Sequence, residues 1–348
     1  MRILTRSPLV LIGLLAIAMP ARSQEPPQAL AQFLRQTVGL DATQLATVER
    51  GEPVVKVLET QNKRDVAVFG IIAADASRES YVKRLRDFRT SLRTPSRGSL
   101  GLFSEPAVPA DVQAITLDEG DADDLRKCQP GKCDFKLPAT EMQRMRERGS
   151  GSGDDDLAEM TAYARQRPLE YATDYRARGD AAMVVYDDRG NVRASAAFAD
   201  LLAQSPYVYQ HAPSLARYLT SYPHVKLSGV DEALFWSETQ APRMRRTLTV
   251  THMTVYSPPE LPGTTLATAK QIYASHYFEA AFDLTTIIDR PKPDGSTGLY
   301  LIVLRRFRFD NLPSGGLLNI RAKVVGSLRD QMTADLAREK GVAESRQK

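Results

Sequence analysis

Cysteine is nearly absent from this chain, with two among 348 residues, and there are only four histidines and one tryptophan. So few thiols and imidazoles leave no His-Glu-x-x-His signature, no close histidine pair and no four-cysteine set, and a zinc site is not expected. Neither phosphate-binding glycine fingerprint is present. A Gly-x-Ser-x-Gly elbow is also missing, because the glycines of 149–153 alternate wrongly and lie in a small, acidic run. The acidic runs 118–124 and 154–156 lack the spacing of a calcium loop. No cofactor is expected, and no catalytic residue is assigned. Long apolar runs are missing too. The longest, residues 9–19, falls well short of the ~20 residues a membrane-spanning helix needs.

That short run sits in an informative place. Arg2 and Arg6 precede it, Pro20 ends it, and Ala21-Arg22-Ser23 supplies small residues where a signal peptidase reads. Residues 1–23 are therefore expected to be a secretory signal cleaved after Ser23, and the protein to be periplasmic or secreted. Removing Arg2, Arg6 and Arg22 takes the formal charge from +4 to about +1. With that balance, and with no basic stripe interleaved with aromatics, nucleic acid is not an expected partner. Hydrophobic content of 43% supports a packed core. No transmembrane segment is expected after cleavage, and protein partners are unknown.

Cys128 and Cys133 flank Pro130-Gly131, a strong turn signal. One pair in an exported chain reads as a structural disulfide closing a tight hairpin.

The pattern along the chain predicts a helix at 29–38, strands at 53–59 and 65–74, and a helix capped by Asp75 or Ser77 with Tyr81, Val82, Leu85 and Phe88 on one face. Strand 65–74 is almost wholly apolar and should be buried on both sides. Residues 89–111 read as irregular, 112–117 as a short strand and 118–124 as a loop. Cys133, Phe135 and Leu137 alternate as in a strand. A charged helix opens at Thr140, and 149–156 reads as a flexible loop. A helix at 157–178 contains Pro168; strands at 181–186 and 192–198 and a helix at 215–222 follow. The last third gives strands at 225–236, 247–256, 267–288 and 299–309, the third bending near Ala280. Leu317, Ile320, Val324, Leu328, Met332 and Leu336 then mark a long amphipathic helix.

A hairpin whose second strand runs through Phe69-Gly70-Ile71-Ile72 into a helix, then long antiparallel strands, Leu312-Pro313 and a terminal helix, resembles a START-like, helix-grip domain. The words around Cys128–Cys133 and at 270–279 are similar to a family of exported bacterial proteins without an assigned function, which adds no chemistry. The helix-grip resemblance implies an α+β fold in which a curved antiparallel sheet wraps the C-terminal helix. It covers 24–138 and 225–340; 139–224 would be an inserted, mainly helical segment and 341–348 a disordered tail. It further implies a ligand cavity between sheet and helix. The wall would carry Leu248, Val250 and His252; Ile272, Ala274, His276 and Phe278; Leu299, Leu301 and Val303; and Val324 and Leu328 from the helix. The expected occupant is an apolar small molecule or lipid, bound or carried.

Other classes stay open. His252, His276 or Glu238 would serve a cyclase- or hydrolase-like enzyme, with an apolar wall raising the Glu238 carboxyl. The simpler reading makes both histidines satisfied core residues, Trp236 a core aromatic, and Glu238 exposed. A cell-envelope interaction protein with no ligand is the third class. Tyr273, Ser275, Tyr277, Glu279 and Asp283 read as a solvated face or as one covered by the insertion. Arg306 and Arg308 are expected at the wet end of their strand.

Overall fold

A computed structural model describes residues 26–93, 98–147, 154–240, 245–313 and 319–345. The predicted signal segment, the glycine run 149–153, Leu317 and the last three residues lie outside the described residues. Near the start, α1 (Gln28–Phe33) continues as one π-helical turn, and α2 (Ala42–Glu49) follows, capped by Asp41. Strands β1 (Val54–Leu58) and β2 (Asp65–Ala74) form the predicted hairpin, and all ten residues of β2 are buried. Helix α3 (Arg78–Arg86) is capped by the Ser77 side chain, and the short α4 (Phe88–Ser91) and β3 (Leu100–Leu102) come next.

A helical stretch follows. It comprises α5 (Glu119–Lys127), α6 (Ala139–Glu147), α7 (Asp154–Arg178), a two-residue ladder of β4 (Val185–Tyr186) and β5 (Val192–Arg193), α8 (Ala194–Ala203), α9 (Pro206–His211) and α10 (Pro213–Ser221). Five long strands then lead to the last helix: β6 (Val230–Thr239), β7 (Thr247–Tyr256), β8 (Thr264–Ala274), β9 (Phe278–Pro291), β10 (Thr297–Phe309) and α11 (Ile320–Glu344).

The fold is α+β. One curved antiparallel sheet runs in the order β1-β2-β10-β9-β8-β7-β6-β3. Because side chains alternate across a sheet, each strand feeds two layers. Val66, Val68 and Ile72 of β2, Leu299, Leu301 and Val303 of β10, and Ile287 of β9 pack with Tyr81, Val82 and Leu85 of α3 and with Met332 and Leu336 of α11. Gly70 lets α11 come close to β2: a Cβ there would lie 2.7 Å from Leu336 Cδ1. Asp335 of α11 pairs with Arg305 of β10 at 2.8 Å. The other face carries Leu234, Trp236, Val250, Leu266, Phe282, Leu284 and Leu304 against Tyr171, Tyr175, Phe198, Leu201, Leu215 and Leu219 of the helical layer. The first two helices cover Phe69, Ile71, Tyr300 and Ile302 beside it.

Several expectations are corrected. Residues 112–117 are not a strand but follow a short 3-10 turn, Pro109–Val112. The acidic run 118–124 is helical: Asp118 accepts from the Asp121 amide, and Glu119 and Asp121 sit in the first turn, where negative charge offsets the helix dipole. Cys133, Phe135 and Leu137 belong to no strand and pack with α5 and α6. The strands predicted at 181–186 and 192–198 shrink to two residues each, and 194–203 is helix. The single strand 267–288 is a hairpin, β8 and β9, turning at 275–277. Arg306 and Arg308 are buried beneath the start of α9 and the end of α8 rather than wet.

Cys128 and Cys133 are bonded, with their Cα atoms 4.4 Å apart. Thiol labelling of denatured, unreduced protein should therefore find no reactive cysteine, and reduction should expose both. So short a loop contributes about 2 kcal/mol in the chain-entropy account. Two labelled thiols before reduction would sink the prediction.

Candidate functional site

The described residues include an open cleft of about 940 Å³ at the β3–β6 edge of the sheet. Gly101 makes it possible for β3 to close that edge. Paired opposite Trp236, its added Cβ would meet Trp236 Nε1 at 2.4 Å, so only glycine leaves room for the indole. The indole N–H donates to Asp111 O at 2.7 Å. The walls are Leu100, Leu102, Phe103 and Trp236, with Arg89, Arg93, Arg176 and Glu232 reaching in. Asp111 is fully used: its carboxylate accepts from the amides of Ser104 and Val108 and from the Ser104 hydroxyl. Burial pushes that carboxyl up, but those hydrogen bonds outweigh it and leave it below its ordinary value. Arg176 donates to Ser104 O and Phe103 O, and its remaining N–H groups have no hydrogen-bond partner among the described residues. Arg89 and Arg93 are exposed at the rim and have no ion-pair partner among the described residues.

Behind Glu232 lies a polar chain. His252 is 1% exposed. Its Nε2 lies 3.1 Å from Glu232 Oε2, and its Nδ1 lies 3.2 Å from the Tyr175 hydroxyl. Tyr218 donates to the same Glu232 oxygen. Burial holds His252 below its ordinary pKa, against the pull of Glu232. The neutral ring therefore donates from Nε2 to Glu232 and accepts at Nδ1 from Tyr175, the tautomer the partners require. Tyr222 packs on the ring at 4.6 Å. Opposite His252 in the sheet, the fully buried Lys270 pairs with Asp180 and donates to Leu219 O at 2.7 Å. Burial lowers Lys270, and Asp180 opposes that.

The structure divides the predicted cavity wall. Leu299, Leu301, Val303, Val324 and Leu328 do meet on the face of α11, with Phe278 beside them. Leu248, Val250 and Ile272 pack into the opposite layer, and His252 lies among that layer's tyrosines. Ala274 is fully buried, its amide donating to the Tyr186 hydroxyl. His276 shares no strand face with Ile272, because it lies in the β8–β9 turn. There its Nδ1–H donates to Asp134 O at 2.8 Å and its ring meets Phe135 at 4.3 Å. Glu238 is 5% exposed rather than solvated, lies 3.7 Å from Arg246, and is raised by burial. Tyr273, Ser275 and Glu279 are likewise buried, and Tyr273 packs on Tyr171 of α7 at 4.7 Å.

Sequence reasoning missed Arg89, Arg93, Arg176 and Glu232. They come from three separate stretches, and the three-residue β3 that gathers them carries no strand pattern. Among the described residues no helix is long and apolar enough to cross a membrane, and no cluster of metal-ligating side chains occurs.

No protein-family profile and no curated protein matches the chain. Solved structures similar to it include the di-domain ARO/CYC StfQ from the steffimycin biosynthetic pathway, at 16% identity and TM-score 0.22. The match covers 57% of this chain and 62% of that one, so the chain spans less than two thirds of StfQ. Ara h 8.0201 is similar at 10% identity and TM-score 0.19, over 44% of this chain and 91% of that one.

Proposed function

We propose that the protein is an exported binder of a small amphipathic molecule, apolar in its body and anionic at one end, held in the cleft beside β3. One observation carries the reading. The cleft has apolar walls, and its Asp111 carboxylate is held by the Ser104 and Val108 amides and the Ser104 hydroxyl, while Arg89 and Arg93 at its rim have no ion-pair partner among the described residues. Three guanidiniums, Arg89, Arg93 and Arg176, line the cleft with three carboxylates, Glu105, Asp111 and Glu232, and the two arginines at the rim are the ones offered to an anionic head. Small-molecule sites are mostly apolar with a few placed polar groups, and guanidinium matches a carboxylate or phosphate head. Export rests on the N-terminal residues, and protein recovered from the periplasm should begin at Gln24.

The test uses Trp236, the single tryptophan, which lies fully buried directly beneath the cleft. Titrating dodecyl phosphate should change its fluorescence saturably. The double substitution Arg89→Glu and Arg93→Glu should weaken binding by about 10–100-fold, the worth of one or two charge-assisted hydrogen bonds. Equal binding of uncharged dodecanol, or no fluorescence change, would sink the proposal.

A further inference from the structure

The geometry points to a catalytic function in the same cleft: Glu232 is a general base that removes a proton from an acidic carbon of the bound molecule, with Arg176 facing the charge that develops. This rests on the cleft being the ligand site. It differs from simple binding in what the polar chain behind Glu232 is for.

Three observations bring it out. Glu232 is the one member of the chain that reaches the cleft, its side chain 39% exposed, while its two partners, His252 and Tyr218, are almost wholly buried. Both partners donate to the same oxygen, Oε2. That leaves Oε1 without a hydrogen-bond partner among the described residues. A carboxylate fixed through one oxygen and open at the other is a base oriented by supporting groups, the arrangement general-base sites share. His252 is held neutral and in one tautomer by burial and by Tyr175, so it donates to Glu232 without competing for the proton. A carboxylate base is enough when the carbon acid is activated by a carbonyl and the resulting oxyanion is met by a donor. Arg176 lines the same cleft, and a guanidinium carries five N–H donors, of which two go to Ser104 O and Phe103 O.

The step balances without a co-reactant. The ligand's C–H bond breaks, an O–H bond forms on Glu232 Oε1, and the electron pair moves into the neighbouring carbonyl, whose oxygen takes the charge. Return of the proton to the same carbon, or to one conjugated with it, completes an exchange or a double-bond shift. The substrate class is therefore a carbonyl compound with an acidic α-carbon and an anionic end.

The probe is 5-nitrobenzisoxazole. A base removes its ring C–H proton, the electron pair forms a nitrile, the N–O bond breaks, and the ring opens to one coloured cyanophenolate, the oxygen taking the charge. The wild-type protein should accelerate this reaction saturably over buffer, with a rate that rises through a carboxylate's titration. Glu232→Gln should lose about a hundredfold, the low end of what a positioned base supplies. Glu232→Asp keeps the charge but withdraws it by one methylene, and should lower kcat while keeping the pH profile. Tyr218→Phe removes one donor to the carboxylate. It should lower kcat severalfold at unchanged KM, since the base keeps its charge and loses part of its orientation. Equal rates in wild type and Glu232→Gln overturn the proposal. So does a rate no better than buffer while dodecyl phosphate still changes Trp236 fluorescence, and that outcome leaves the binding reading standing. Loss of the fluorescence response overturns both.

Discussion

Replacing Asp65 by alanine is expected to cost about 3–5 kcal/mol of folding stability, the usual penalty for leaving a buried charge without its partner. Asp65 opens β2 and is 1% exposed. Its two oxygens take Arg308 Nε at 2.8 Å and Nη2 at 3.0 Å, a two-pronged pairing across adjacent strands. Gln204 at the end of α8 donates to it at 2.7 Å, and Arg308 reaches on to Asp200 at 2.8 Å. Beside it Arg306 donates to Ser205 Oγ and Gln204 O. These groups seat the α8–α9 corner on the sheet, so the alanine variant empties the Nε and Nη2 contacts of a buried guanidinium and leaves it only the exposed Asp200. The double variant Asp65→Ala with Arg308→Met removes both charges and should recover much of the loss. Urea unfolding of the three proteins decides it. A single-variant cost below about 1 kcal/mol, or a double variant worse than the single, would show that the pair does not hold the layers together.

This pair also marks where the sequence stopped being readable. The apolar run of β2 announced a strand buried on both faces, and alternation in β10 placed Arg306 and Arg308 on one side. Nothing local could say that this side is covered, because the partners come from residues 65 and 200–205, more than a hundred positions away. The β8–β9 turn failed for a different reason. Hairpins are recognised by Gly, Asn or Asp at positive φ, and here Tyr277 takes φ of 62° in a Ser-His-Tyr turn with none of them. One continuous strand was the natural inference, and it carried His276 onto a cavity wall it does not share. The acidic run 118–124 was misread because charge was taken for solvation. Its first residue is a cap, and Asp121, Ala122 and Leu125 face inward. The terminal helix and the long strands were legible because their periodicity is sustained over many residues. The cleft was not, because five separate pieces build it and their meeting is purely tertiary.

Between pH 6.5 and about 4 the protein is expected to lose about 3 kcal/mol of stability through His276 alone. Burial lowers this imidazole from 6.5 to about 4, with nearby Arg245 helping and the hydrogen bond to Asp134 O opposing. Nδ1 carries the proton that Asp134 O accepts, so Nε2 is the site a second proton must enter. That atom is buried and has no hydrogen-bond partner among the described residues. The folded value lies below the unfolded one, so the unfolded chain takes up the proton first as pH falls. The contribution is whole above about 6.5, is lost on the way down to about 4, and changes no further below that. The distance between the two values corresponds to about 3 kcal/mol. His252, also lowered by burial, acts in the same direction. Asp121, Asp188, Glu238 and Glu279 are raised by burial and act in the opposite one, since their folded forms take protons first. The clean measurement is therefore the difference between wild type and His276→Phe, which keeps a ring against Phe135 and removes the titrating group. At pH 7.5 the variant should be the less stable by about 1–2 kcal/mol, having left Asp134 O without its donor. As pH falls to 4 that deficit should close and reverse. Parallel stability curves for the two proteins across this range would show that the buried turn histidine is not what acid attacks.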